Sequence, residues 1–165
     1  MFVLPGTHSK WVDVRDGAIH HLHTALTGEL PALLLHHSTL MKTNSREGDA
    51  GDGFLRGLAR SVGPAAGLIG SLFEARSSQL VLGHSSHSAH AFLSGLLIGH
   101  EIAQLGAAFG TTSVVLIGSA ELRELYAAAL TARGVNMRTL DGDECVIQGL
   151  IALAASTTDV THHVN

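Results

Sequence analysis

The feature that most restricts the fold is a change of period near residue 27. Before it, apolar residues run or alternate at the two-residue spacing of strands. After it they recur at helical spacing, broken by two further strand-like runs. Phe2, Val3 and Leu4 form a short apolar run that stops at Pro5-Gly6, a turn signal. Residues 11–15 alternate, with Val12 and Val14 on one face and Asp13 and Arg15 on the other. Asp16-Gly17 is the pair a two-residue type I′ hairpin requires, and residues 18–24 return as a third strand. Three successive antiparallel strands are therefore expected.

Thr27 is placed to cap a helix carrying Leu30, Leu33 and Leu34. Glu29 would sit at its positive end, and Pro31 in the first turn, where no N–H is needed. Residues 42–53 (KTNSREGDAGDG) have no periodicity and read as an exposed, mobile loop. Residues 54–83 look helical in pieces, interrupted at Gly63-Pro64, Gly67 and Gly70. From residue 89, Phe92, Leu93, Leu96, Leu97, Ile102, Leu105 and Phe109 mark a helix up to Gly110. Residues 113–117 (SVVLI) resemble a strand buried on both faces. Ser119 caps a helix with the stripe Leu122, Leu125, Tyr126, Ala129 and Leu130, which Gly134 stops. Residues 135–140 form another strand. Asp141 with Glu144 is a capping-box pattern opening a last helix to about Ser156, with a frayed tail beyond.

The order is β-β-β-α, a helical and loop insertion at about 41–88, then α-β-α-β-α. This is an α/β chain forming one domain over residues 1–165, with a mixed sheet covered by helices on both faces. The pattern is that of a ribonuclease-H-like domain.

Composition narrows the function. Charged residues make up 15% of the chain, against a usual share of about 25%, so buried surface against a partner or another part of the same protein is expected. The net charge is −4 and the ten Lys and Arg are scattered, which excludes a nucleic-acid partner. Cys145 is the single cysteine, so no internal disulfide can form and a reducing compartment is favoured. The uncharged stretch 102–120 is broken by Gln104, Gly106, Gly110 and Thr111-Thr112-Ser113, and residues 1–5 lack the parts of a signal peptide. No membrane partner and a cytoplasmic location are expected.

Two segments carry candidate chemistry. In the turn after the first strand, Gly6 lets several backbone N–H groups point at one anion, while Thr7 and Ser9 add hydroxyls and Lys10 a charge. The plainer alternative is a polar hairpin turn. At Gly118-Ser119-Ala120 a buried strand meets a helix N-terminus, a place where a phosphate or polar ligand edge is favoured; ordinary packing produces the same pattern. Gly95 and Gly99 lie on one helix face, where something comes close. Twelve histidines include His84, His87 and His90, and His21 with His23 on one strand face. No carboxylate or Cys is interleaved at ligand spacing, so they are read as surface histidines and no metal site is assigned. Cys145, in the first turn of the last helix, reads as a packing residue rather than a reactive thiol.

The segments LPGTHSKW (residues 4–11), TGEL (27–30), LLHHSTL (34–40), LSGLLIG (93–99) and LIGS (116–119) together resemble the 2-dehydro-3-deoxygalactonokinase family, in family order over nearly the whole chain. The resemblance implies an actin-like ATPase and sugar-kinase fold, in which ATP is clamped between two ribonuclease-H-like halves, and it covers the C-terminal half only. It implies that Gly6, Thr7, Ser9 and Lys10 form the second phosphate loop and that Gly118, Ser119 and Ala120 match the adenosine motif. Gly95 and Gly99 would lie on the connecting helix behind the cleft, as part of the nucleotide site. The insertion at about 41–88 departs most from the family pattern. The resemblance also implies that the first phosphate loop, an Asp followed by a Gly-Thr turn, lies in the N-terminal half, together with the catalytic aspartate that deprotonates the sugar hydroxyl; no Asp-x-Gly-Thr occurs here.

The implied reaction is phosphorylation of 2-dehydro-3-deoxy-D-galactonate to its 6-phosphate by ATP with Mg²⁺, a step of D-galactonate catabolism. This chain alone is expected to turn over poorly or not at all. Its partners would be the sugar acid and either the N-terminal half or a self-associating copy. Alternatives are a non-catalytic nucleotide-binding or assembly module of the same fold, and a related sugar kinase with another substrate. The kinase reading requires Gly6 and Gly118 to converge on one crevice.

Overall fold

A computed structural model describes residues 1–41, 50, 52–62 and 67–160. The loop expected at 42–53 lies mostly outside these residues, as do Gly63-Pro64 and the tail at 161–165.

The strands form one mixed sheet. β1 (Phe2–Leu4), β2 (Ser9–Arg15) and β3 (Ala18–Ala25) are an antiparallel meander. Asp16 and Gly17 both take positive φ (50° and 75°) between the paired Arg15 and Ala18, as the hairpin signature requires. β4 (Ser113–Gly118) runs parallel to β1 and β5 (Asn136–Asp141) parallel to β4, giving the order β3-β2-β1-β4-β5.

The helices are α1 (Glu29–His37), α2 (Gly53–Arg60), α3 (Leu68–Leu72), α4 (Glu74–Val81), α5 (Ser86–Phe109), α6 (Ala120–Ala132) and α7 (Gly142–Val160). Several boundaries are local chemistry. The Ser85 and Ser119 hydroxyls accept from the Ser88 and Leu122 amides, and Asp141 Oδ1 accepts from the Asp143 and Glu144 amides at 3.1 and 3.2 Å. Gly110 and Gly134 end their helices at positive φ. Among the described residues, α5 is the one helix long and apolar enough to cross a membrane, and it is mostly buried inside the fold. The stretch 102–120 is split between the end of α5, the Gly110 cap and β4.

Two expectations need correction. Thr27 does not cap α1: Gly28 holds that position and no side chain caps it. Gly70 lies within α3 rather than breaking a helix. On β2 the expected alternation is present, with Val12 and Val14 on the half-buried face and Ser9, Trp11 and Asp13 on the buried one.

That core is built on Val3, Trp11, Val114 and Leu116 of the sheet. Ile98, Ile102 and Leu105 of α5 and Tyr126, Ala129 and Leu130 of α6 cover them. On β4, Val114 and Leu116 are buried while Val115 and Ile117 are half-buried, so the strand is fully covered on one face only. In the insertion, α2 lies directly on α5. A Cβ at Gly57 would collide with the Phe92 carbonyl, and one at Gly95 with the Phe54 carbonyl. One at Gly99 would collide with the Ser61 side chain. The closeness read from Gly95 and Gly99 is thus helix against helix.

Candidate functional site

β1 and β4 are parallel neighbours, so the turn after one and the helix start after the other leave the sheet at the same end. Val3 pairs with Leu116, and a Cβ at Gly118 would stand 3.6 Å from Pro5 Cδ. Gly6 and Gly118 therefore belong to one edge of the molecule, the carboxyl end of the parallel strands, where α/β proteins bind ligands.

A cavity of about 380 Å³ opens beside this edge. Gly6, Thr27 and Gly28 form one side of it. Pro31 and Leu35 of α1, Ser94 and Ile98 of α5, and Leu122 and Tyr126 of α6 complete the wall, with His36, His90 and Glu121 as titratable groups. That volume lies within the range of about 300–1,000 Å³ typical of small-molecule sites, and the mostly apolar lining with a few polar groups is also typical.

The glycine turn is fixed against α1. A Cβ at Gly28 would overlap the Gly6 carbonyl and approach Thr7 Cα to 2.9 Å, so glycine is required there for close approach rather than for an unusual φ. His8 Nε2 meets Glu29 Oε2 at 2.8 Å across the same junction. Thr7 is exposed, and Lys10 Nζ donates to the His8 carbonyl at 2.9 Å, closing the turn on itself.

Ser9 behaves differently. It is fully buried, and its hydroxyl donates to Glu101 Oε1 at 2.7 Å, so that side chain is unavailable to a phosphate. Trp11 Nε1 donates to the same oxygen at 2.7 Å, and the Tyr126 hydroxyl donates to Oε2 at 2.8 Å. Burial first, and then the neighbouring Glu101 carboxylate, raise the Tyr126 pKa far above its ordinary value, which keeps the phenol a donor. The sequence reading missed Glu101. The available signal was that it is the single charged residue in the 24-residue helix α5.

Ser119 caps α6 at the surface, and Ala120 is exposed beside Arg123 and Thr139. Neither they nor Gly118 line the cavity, which the first turn of α6 reaches through Glu121 and Leu122. Gly95 and Gly99 do not reach the cavity. Its α5 wall is His90, Ser94 and Ile98, spaced four apart, whereas the glycines lie one residue further round and face α2. In the structure both glycines serve helix packing against α2.

Among the described residues no three His, Cys, Asp or Glu converge as a metal site. His84 Nδ1 is within 2.9 Å of the Arg56 guanidinium, a geometry that suits a structural hydrogen bond.

These features define an α/β protein with a ligand-sized cavity at the carboxyl ends of its parallel strands, framed by a glycine turn and three helices. Comparison with known proteins narrows the class. Residues 1–153 match the family model described as 2-keto-3-deoxy-galactonokinase. A protein of Rhizobium meliloti (strain 1021), described as a probable 2-dehydro-3-deoxygalactonokinase, is 40% identical over 156 residues, covering 92% of this chain and 51% of its own length. The 2-dehydro-3-deoxygalactonokinase of Escherichia coli (strain K12) is 32% identical over 155 residues, 93% of this chain and 53% of that protein. A crystal structure assigned to the 2-dehydro-3-deoxygalactonokinase proteins, from Sinorhizobium meliloti, superposes with a TM-score of 0.83 at 37% identity, over 94% of this chain and 53% of that one. The chain belongs to the 2-keto-3-deoxy-galactonokinase family, and it spans about half the length of these relatives.

Proposed function

We propose that this chain is the nucleotide-binding, C-terminal-type half of a sugar-acid kinase with the ribonuclease-H-like, actin-like ATPase topology. The reaction it serves is transfer of the γ-phosphoryl group of ATP to the 6-hydroxyl of 2-dehydro-3-deoxy-D-galactonate, in the cytoplasm. The observation that carries the reading is the shared edge: the Gly6 turn and the β4–α6 junction leave the sheet at the same end, and Gly6 and the first turn of α6, through Glu121 and Leu122, line one cavity there. The sheet order, with an antiparallel meander joined to a parallel half, supports the topology.

The residues suit a nucleotide. The apolar wall of Pro31, Leu35, Ile98 and Leu122 offers a surface for a base, while the exposed Thr7 hydroxyl and the backbone of the Gly6 turn offer donors for phosphates. Lys10 would reach a phosphate by leaving the His8 carbonyl. Mg²⁺ would enter with the nucleotide and would supply charge neutralisation at the phosphates. The chain's own part is to bind and orient the triphosphate. The base for the sugar hydroxyl, and the water-excluding second wall, belong to the part of the relatives outside this chain's span, because phosphoryl transfer depends on in-line positioning between two walls.

The test is calorimetric titration with MgATP, followed by a phosphorylation assay with the complementary half of a relative added in trans. Binding by the chain, negligible turnover alone and restored turnover with the added half are expected. Ordinary kinase turnover by this chain alone would refute the division of labour. Binding with no restored turnover would favour a non-catalytic module, and restored turnover on another keto-deoxy sugar acid would reassign the substrate.

A further inference from the structure

A carboxylate buried in an apolar core is costly unless fully hydrogen-bonded, and for stability alone a well-packed apolar residue would serve as well or better. Glu101 is nevertheless placed in the middle of the main core, only 6% exposed, between Ile98, Ile102 and Leu105. Its three donors come from sites that sequence separation keeps far apart. Ser9 and Trp11 lie about 90 residues before it and open β2 directly after the Gly6 turn. Tyr126 lies 25 residues after it, on α6. Tyr126 also lines the cavity, so one carboxylate joins the end of the glycine turn to the cavity wall.

We propose that Glu101 is a positioning residue: by accepting hydrogen bonds from Ser9, Trp11 and Tyr126 it sets the turn at residues 6–8 against the α6 wall, and ligand entering the cavity is felt at Trp11. This rests on the nucleotide reading above. It assigns Glu101 no contact with substrate. Its effect is transmitted through the start of β2, whose backbone cannot shift without breaking bonds to Ser9 and Trp11. The turn is held from its other side by Gly28 and by the His8–Glu29 pair. Loss of Glu101 therefore loosens the turn on one side and leaves it tethered on the other.

Trp11 is the single tryptophan, so its emission reports the network directly. Glu101→Gln replaces the charged acceptor of Ser9, Trp11 and Tyr126 with a neutral amide that has one acceptor oxygen for the three donors; Tyr126→Phe removes one donor and keeps the carboxylate. Gly57→Ala is the control for lost stability, because Gly57 packs against α5 on the side away from the cavity. The experiment measures amide hydrogen exchange, Trp11 emission and MgATP titration on the wild-type chain and the three variants. In Glu101→Gln, exchange at Thr7 and His8 should quicken at least tenfold, MgATP affinity should fall at least fivefold and the MgATP-induced change in Trp11 emission should be lost. Tyr126→Phe should give smaller changes in the same direction. Gly57→Ala should leave all three readouts unmoved while lowering the melting temperature.

Equal turn exchange and equal MgATP affinity in Glu101→Gln and Gly57→Ala would overturn the positioning role and leave the nucleotide reading standing. Absence of MgATP binding by the wild-type chain would overturn the nucleotide reading, and the proposal with it.

Discussion

His90 shows how a single residue records its place beside the cavity. Its imidazole stands in the α5 wall with Ser94, facing His36 of α1 and Glu121 of α6, one turn after His87. Burial lowers its pKa below the ordinary 6.5, and repulsion from His87 lowers it further. The unfolded chain therefore takes up the proton first as pH falls. Stability from neutral His90 is full above about pH 6.5, is lost as pH drops through the lower folded value, and levels off below it. His90→Gln should flatten the fall in unfolding free energy between neutral and mildly acidic pH, measured by urea denaturation at both. An unchanged slope would show that His90 is not held neutral by the fold. Gly28 records its surroundings by what it lacks. The Gly6 carbonyl occupies the space a side chain would need, which explains why TGEL carries glycine where an ordinary helix start would carry a capping side chain.

At the scale of elements, what the sequence revealed is what neighbouring residues decide. The Asp16-Gly17 hairpin, the Ser119 and Asp141 caps and the Gly110 and Gly134 stops each act within a few residues, and each formed where expected. The inward face of β2 was hidden because its polar members, Ser9 and Asp13, are buried alongside Trp11, and the Glu101 that satisfies Ser9 lies 92 residues away. Likewise Gly95 and Gly99 announced a close approach, but not that α2 makes it. The glycines of α2 and α5 allow the contrast to be tested. A Cβ at Gly106 of α5 would meet open space, so Gly106→Ala should stabilise the fold by about 0.5–1 kcal/mol through helix propensity. At Gly57 the same propensity gain of about 1 kcal/mol opposes an overpacking cost of about 1–3 kcal/mol, and the neighbour is a backbone carbonyl that cannot rotate away. Gly57→Ala should therefore lose up to about 2 kcal/mol, a fall in melting temperature of roughly 2–4 °C per kcal/mol. Calorimetry of both variants checks the signs, and two shifts in the same direction would contradict the packing of α2 on α5.

At the scale of the whole molecule, the unusual quantity is apolar surface. The low charge of the sequence implied a covering surface, and α7 is where that need is clearest. From Val146 to Ser156 every residue of the helix is exposed, and Val146, Ile147, Leu150, Ile151 and Leu153 gather on one broad side, each more than half exposed. A contiguous patch of this kind on a monomer marks an interaction surface. Its intended cover, on our reading, is the remaining half of the kinase, since the relatives continue for about as many residues again outside the matched span. Without that cover, copies of this chain should pair through α7. Light scattering at rising concentration should show dimers or larger species, and the double change Ile147→Glu with Ile151→Glu should return the chain to a monomer. Because both side chains are exposed, the change should cost less than about 0.5 kcal/mol of stability. The same variant should fail to restore turnover with the complementary half in trans, while still binding MgATP, because α7 contributes no residue to the cavity. A wild-type chain that stays monomeric at high concentration, or a double variant that complements as well as the wild type, would remove α7 as the meeting surface and return the search to the apolar residues of β3 and α4.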